Sequence, residues 1–452
     1  MLMSRRIVGW TVWLWSLALV SGAGGGQPSE PPAQVFTQQA LFEAGRDGYH
    51  TYRIPALVVT KQGTVLAFCE ARKNSNADHG DVDLALRRSV DGGRTWEKMQ
   101  IIADDGGHTV GNPCPVVDRR TGTVWLPYCR DNQRVLLRKS TTDGQTWSEP
   151  ADVTADVMSP QWHWVGTGPG HGIQLASGRL LIPCWADATP SLGEIQRSFV
   201  FFSDDGGRRW RPGGALDRNA SDECEAVERV DGSLYMNMRS RQGKQRRAWA
   251  TSSDGGAAWS AVEYDPALPE PSCQGSLVRL SDHRVHDRDR VLLASPASPK
   301  DRTQLTVRMS YDECRSWPIA RVVHAGSSAY SDLAVTMGRE VLLLYEADNY
   351  GKLVLARFNV EWLSGGRDSP AEPSDTRHPR TALGLDRSGR WLTLLVVDGV
   401  VTPVSGRWPR PFPGCRPPWG RRGRASCRRS RRGPRRSRRP RHAPAGRPPR
   451  AP

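Results

Sequence analysis

An eight-residue pattern recurs through the middle of the chain and limits what it can fold into. It reads SVDGGRTW at 89–96, SDDGGRRW at 203–210, SSDGGAAW at 252–259 and SYDECRSW at 310–317. A weaker copy, STTDGQTW at 140–147, carries Thr142 where the others carry aspartate. Each residue type suits a hairpin turn: aspartate accepts backbone N–H groups across it, glycine supplies positive φ, and tryptophan offers a large apolar face to the next strand. The flanks, such as DLALRRS before Asp91 and RSFVFFS before Asp205, read as strands. The tryptophans at 96, 147, 210, 259 and 317 are about 55 residues apart, room for four short strands and their turns. The region from Gln34 to Trp362 holds roughly six such units. The expected fold is therefore all-β, a six-bladed β-propeller over residues 35–365. The boxes speak for architecture and leave function open.

The two ends differ from this middle. Residues 1–23 carry a basic pair at Arg5-Arg6, an apolar run from Ile7 to Val20 and the small residues Ser21-Gly22-Ala23. That pattern is a secretory signal peptide, too short for a membrane span, and implies a secreted or periplasmic protein. The net charge of +16 would suggest nucleic acid or a membrane surface, but seventeen arginines lie between Arg407 and Arg450, and no Asp or Glu follows Val400. The rest of the chain is nearly neutral, so the folded part is expected to bind no nucleic acid. Nine cysteines are scattered without a CxxC pair or a metal-site spacing, and no disulfide, metal or cofactor is assigned. The folded domain is expected to be a monomer.

In HTYRIPALVV, residues 50–59, alternation sends Tyr52, Ile54 and Ala56 to one face and Arg53 to the other. Pro55 restricts Ile54 to extended geometry and suits a strand that is exposed along one edge or lines an opening. By itself Arg53 is a surface arginine beside a core strand.

The combination of YRIP with repeated Asp boxes resembles the sialidase (neuraminidase) family over roughly residues 36–363. The resemblance implies three arginines that bind the carboxylate of sialic acid: Arg53, Arg239 in SLYMNMRS and Arg302 in SPASPKDRTQLTVRMS. A guanidinium offers a planar, permanently charged fork that lysine cannot reproduce. It also implies a nucleophile, Tyr330 in SSAYSDLAV, with Glu223 in SDECEAVERVDG as its base. The anomeric carbon of sialic acid bears a carboxylate that would repel an acidic nucleophile, whereas a neutral phenol approaches freely, and an arginine cluster would favour its phenolate. The acid/base falls at Asp78 in ARKNSNADHGDVDLALRRS, preferred over Asp81 and Asp83, on a loop expected to desolvate it and raise its pKa. Glu346 in VLLLYEADNY would hold the first arginine, and Glu70 and Arg72 in LAFCEARK would lie near the pocket. The glycine-rich GTGPGHGIQL at 166–175 also fits the family, with His163 and His171 structural.

The implied activity is that of a retaining exo-α-sialidase acting on sialylated glycoproteins, glycolipids or oligosaccharides. A non-catalytic propeller that binds glycans or proteins, or a trans-sialidase, is the alternative. After a linker at 366–377, residues 378–399 read as two strands joined at Ser388-Gly389 and resemble a motif of phosphodiester glycosidase domains. Residues 400–452 are an Arg/Pro-rich tail without apolar periodicity, read as disordered. A frameshift that truncated a second domain is favoured over a basic tail for anionic polymers. Asn219-Ala220-Ser221 is a glycosylation sequon.

Overall fold

A computed structural model of the chain describes residues 33–189, 195–217 and 219–370, together with three strands between 380 and 404. The expected signal peptide lies outside the described residues, as does nearly all of the basic tail. The described residues between 33 and 370 are strands and turns apart from two single-turn helices, Thr154–Val157 and Val360–Ser364. No described helix is long and apolar enough to cross a membrane.

The sheets are antiparallel meanders that follow one another along the chain in a propeller-like arrangement. The first contains Thr51–Val59, Val65–Arg72, Val82–Ser89 and Gln100–Ala103 in chain order. In the second, Val110–Gly111 and Val116–Val117 both pair with Val124–Arg130, followed by Arg134–Ser140 and Ala151–Asp152. The third is built on Leu180–Asp187 and Gln196–Ser203, and the fourth runs from Ser221–Glu228 through Leu234–Ser240 and Arg246–Ser252 to Glu263–Pro269. The last has seven strands. Its long strand Ile319–Val335 pairs through its first half with Thr303–Ser310 and through its second half with Val341–Ala347. The described residues of this unit thus form five hydrogen-bonded sheets rather than the six expected from the box spacing. The spacing could not reveal that one continuous strand serves two meanders.

Strands such as Val65–Arg72 are buried along their whole length because both faces are covered by neighbouring sheets. The core lies in layers between consecutive sheets. One joins Val65 and Ala67 to Leu342 and Leu355, and the next joins Leu66 and Phe68 to Leu126 and Tyr128. The ends of the unit are sewn together, since Phe36–Glu43 pairs with Lys352–Phe358 and Phe36 stacks on Trp362 at 4.2 Å. Asp368, expected to lie in the linker, is buried within the fold, pairing with Arg290 at 2.7 Å and accepting the Tyr311 hydroxyl at 2.8 Å.

Every box is the turn between the two outer strands of a meander, and its leading serine and the aspartate or Thr142 two residues later hydrogen-bond within the turn itself. In 89–96, Ser89 Oγ accepts Gly93 N–H at 2.8 Å, while Asp91 accepts the N–H of Arg94 and of Thr95, each at 2.9 Å. The second glycine serves two needs at Gly207. Its φ is +88°, and a Cβ would stand 2.2 Å from the Trp125 ring of the preceding sheet.

The strand Thr51–Val59 departs from simple alternation. Its register with Val65–Arg72 jumps between Arg53 and Ala56, and Ile54 has φ +56° instead of the extended geometry expected before Pro55. Tertiary contacts override the local preference, because Ile54 buries against Cys273, Ala329 and Tyr330 and donates its N–H to Glu346 Oε1 at 3.0 Å.

The second unit has an antiparallel sheet of Arg380–Leu385, Trp391–Val397 and Val400–Val404. Its third strand starts where the tail was expected to begin.

Candidate active site

Because the innermost strands come from different sheets, residues far apart in sequence converge at the axis. Arg53 sits on the innermost strand of the first sheet, Glu223 and Arg239 on the first two strands of the fourth, and Tyr330 on the long strand Ile319–Val335. Arg302 is in the turn before Thr303–Ser310. All five line one cavity of about 220 Å³, together with Glu70, Arg72 and Asp78.

The three arginines are held differently. Arg53 makes a fork to Glu346, Nε to Oε1 at 3.0 Å and Nη2 to Oε2 at 3.3 Å, and its guanidinium lies 4.2 Å from the Tyr350 ring centroid. Arg239 donates from Nη1 to Glu223 Oε2 at 2.9 Å and to the Tyr330 hydroxyl at 3.0 Å. Among the described residues Arg302 touches no carboxylate, donating instead to Ser272 O at 3.2 Å and Tyr350 Oη at 3.4 Å. Its charge is therefore the one of the three left for a ligand.

Tyr330 donates its hydroxyl to Glu223 Oε1, and its N–H reaches Glu346 Oε2 at 3.1 Å. Burial and the Glu223 carboxylate push the phenol well above its ordinary pKa, outweighing the opposing pull of Arg239 and Arg302. The arginines do favour phenolate as expected, but they do not prevail: in this state Tyr330 is a neutral phenol poised on a carboxylate acceptor.

Asp78 stands on the loop after Val65–Arg72 with its side chain 71% exposed, and Oδ1 accepts Arg72 Nη1 at 2.9 Å and Arg53 Nη1 at 3.1 Å. Burial pushes this carboxyl up, but Arg72 and Arg53 outweigh it and hold it below the usual carboxylate range. The expected upward shift is absent because two cations embrace the group. Of its competitors, Asp81 pairs with Lys73 at 2.9 Å, and Asp83 is fully buried, bound to the Tyr49 hydroxyl at 2.6 Å. Neither lines the cavity. Glu70 orients Arg72 through a 2.6 Å bond.

Sequence reasoning missed several neighbours. Tyr350 and Ser272 brace the arginines from turns with positive φ, +67° and +57°. Asp222, fully buried beside Glu223, binds Arg241, and His79, Trp164 and Trp185 complete one wall. Of these, only Asp222 left a trace, in the dense acidic run DECE.

The family model for the BNR repeat-like domain matches residues 63–342. The chain is 30% identical over 371 residues to the exo-alpha-sialidase of Aspergillus fumigatus, covering 71% of this chain and 86% of that protein. The chain belongs to the BNR-repeat sialidase family. It is also 32% identical over 339 residues to a sialidase of Bacteroides fragilis and 33% identical over 386 residues to one of Micromonospora viridifaciens, covering 67% and 77% of this chain. It spans only 61% and 58% of the length of these two sialidases. Among solved structures, the Hadza microbial sialidase Hz136 superposes with a TM-score of 0.67 at 28% identity, covering 72% of this chain and 69% of that one. The fold is also shared with an intramolecular trans-sialidase from Ruminococcus gnavus, TM-score 0.63 at 19% identity, covering 72% and 97%.

Proposed function

We propose that this sialidase-family chain is an exported exo-α-sialidase that removes terminal sialic acid from glycoproteins, glycolipids or oligosaccharides with net retention. The observation that carries the reading is the meeting of Arg53, Arg239 and Arg302 around a hydrogen-bonded Tyr330–Glu223 pair in one cavity. Three guanidiniums match one carboxylate, with the least neutralised, Arg302, as the first point of capture. Tyr330 Oη attacks the anomeric carbon and passes its proton to Glu223, while the bond to the leaving oxygen breaks and that oxygen takes a proton from Asp78. Asp78 then deprotonates a water that attacks the same carbon, and the tyrosyl bond breaks as the phenol regains its proton.

The low pKa of Asp78 in the free protein is compatible with an acid role. A substrate carboxylate drawn to Arg53 competes for a cation that keeps Asp78 ionised and adds negative charge beside it, both of which favour the protonated form. Within the fold, we count the seven-stranded sheet as two blades sharing Ile319–Val335, which makes six around the axis.

Proton NMR of early turnover tests the reading, since a retaining enzyme releases the α anomer first. Release of the β anomer first would contradict a covalent tyrosyl route. Transfer to a second sugar uses the same residues, and added lactose as acceptor separates it from hydrolysis.

A further inference from the structure

One layer below the pocket, the axis is crossed by a polar cluster that the reaction does not touch. Glu225 and Asp332 lie two residues beyond Glu223 and Tyr330 on the same strands, hence roughly 6–7 Å deeper. Asp332 accepts the N–H of Leu57 at 2.6 Å and of Leu333 at 2.9 Å, and Glu225 accepts the N–H of Leu277 at 2.7 Å. Ser276 Oγ bridges them, 3.0 Å from Glu225 Oε2 and 2.9 Å from Asp332 Oδ1. His171 Nδ1 lies 2.7 Å from Asp332 Oδ1 and 3.7 Å from Glu225 Oε2. Gly170, with φ +114°, lets this turn come so near that a Cβ there would fall 1.8 Å from Glu225 Oε1. The remaining carboxylate oxygen, Glu225 Oε1, takes Gln274 Nε2 at 3.4 Å. With a donor on each carboxylate oxygen, the cluster is a hydrogen-bonded joint and not a cation cage.

What such a joint can do follows from the architecture. Ladder hydrogen bonds fix residues only within a sheet, and the strands carrying Arg53, Glu223 and Tyr330 belong to three different sheets. Their relative heights need bonds that cross the axis. Asp332 ties the Tyr330 strand to Leu57, four residues beyond Arg53, and Ser276 with Glu225 ties it to the Glu223 strand. Burial pushes His171 down, but Asp332 and Glu225 lift it to about 9, so it supplies a cation between the two acids.

We propose that His171, Glu225, Ser276 and Asp332 are positioning residues that set the height of Tyr330 against Glu223 and Arg53. This deepens the reading of Tyr330 as nucleophile and rests on it. Misplacement of reacting groups by 1 Å costs turnover about 10²-fold. Ser276→Ala removes the bridging hydroxyl, adds no volume and leaves the backbone donors in place. On a fluorogenic sialoside its kcat should fall by roughly tenfold or more, with KM and the affinity for an unsaturated sialic acid analogue changed by less than about threefold. Asp332→Asn should act in the same direction. If it fails to fold, His171→Gln replaces it. Folded variants with lower Tm but wild-type kcat would overturn the proposal and leave a purely structural joint. Wild-type turnover by Tyr330→Phe would overturn the nucleophile reading as well, so the two failures are told apart by which variant stays active.

Discussion

In the turn 310–317, Asp312 accepts the N–H of Ser316 at 2.9 Å and hydroxyls from Ser310 at 2.8 Å and Ser316 at 2.6 Å, all within four residues of itself. In the pocket, Glu223 meets Tyr330, 107 residues away, and Arg53 meets Glu346, 293 residues away. The serine and aspartate of the rim turns use short-range hydrogen bonds that close a hairpin and leave the aspartate's charge spent. The centre gathers long-range partners and leaves guanidinium charge facing a cavity. The contrast teaches that the same residue types stabilise where their partners are local and become available for chemistry where the fold supplies the partners.

The sharpest way to break this contrast is to remove the central hydroxyl. Tyr330→Phe should lower kcat by about 10³-fold or more while leaving Tm and binding of a sialic acid analogue nearly unchanged, as read by fluorogenic assay and calorimetry. Asp78→Asn comes next, with a loss of about 10²–10⁴-fold on a natural sialoside, whose leaving alcohol needs a proton. An activated phenol leaving group should suffer far less, and equal losses on both substrates would remove Asp78 from the acid role. Arg302→Lys keeps the charge but loses the fork. A charged hydrogen bond contributes about 1.5–3 kcal/mol, so KM should rise roughly ten- to hundredfold with little change in kcat.

The rim should respond in the opposite sense. Asp312→Ala should destabilise the fold by about 1–2 kcal/mol, seen as a lower denaturant midpoint, with kcat unchanged. A clear loss of kcat there would blur the distinction between the two regions. The smallest effect concerns pH. His171 has its folded pKa raised from 6.5 to about 9, so its stabilising contribution is complete below about pH 6.5 and is lost as pH climbs through 9. Glu225, also raised, acts in the same sense, and the buried thiols of Cys114 and Cys224 beside them stay protonated. Tm should fall by roughly 2–5 °C across that range, and less in His171→Gln.

How much of this was legible in the sequence follows the same divide. The box turns could be read from spacing because each is complete in eight residues. Arg53, Arg239, Arg302, Glu223 and Tyr330 were legible only through resemblance, as no local pattern tells an arginine at an axis from one on a surface. Tyr350 and Ser272 were not legible, since their positions depend on turns with positive φ that ordinary residues rarely adopt. The charge state of Asp78 also escaped, because the outcome depends on whether burial or neighbouring charge prevails, and those neighbours come from other strands. The continuity of Ile319–Val335 was not legible either, because the spacing of the boxes does not show where one strand runs on from one meander into the next.

The central claim is that a sugar becomes bonded to Tyr330 while three arginines hold its carboxylate. Incubation with a fluorinated sialic acid that forms the adduct quickly and loses it slowly, followed by proteolysis and mass spectrometry, tests this directly. The account predicts one sialyl adduct on the peptide containing Tyr330, absent in Tyr330→Phe. An active enzyme that gives no adduct, or an adduct on any other residue, would contradict it.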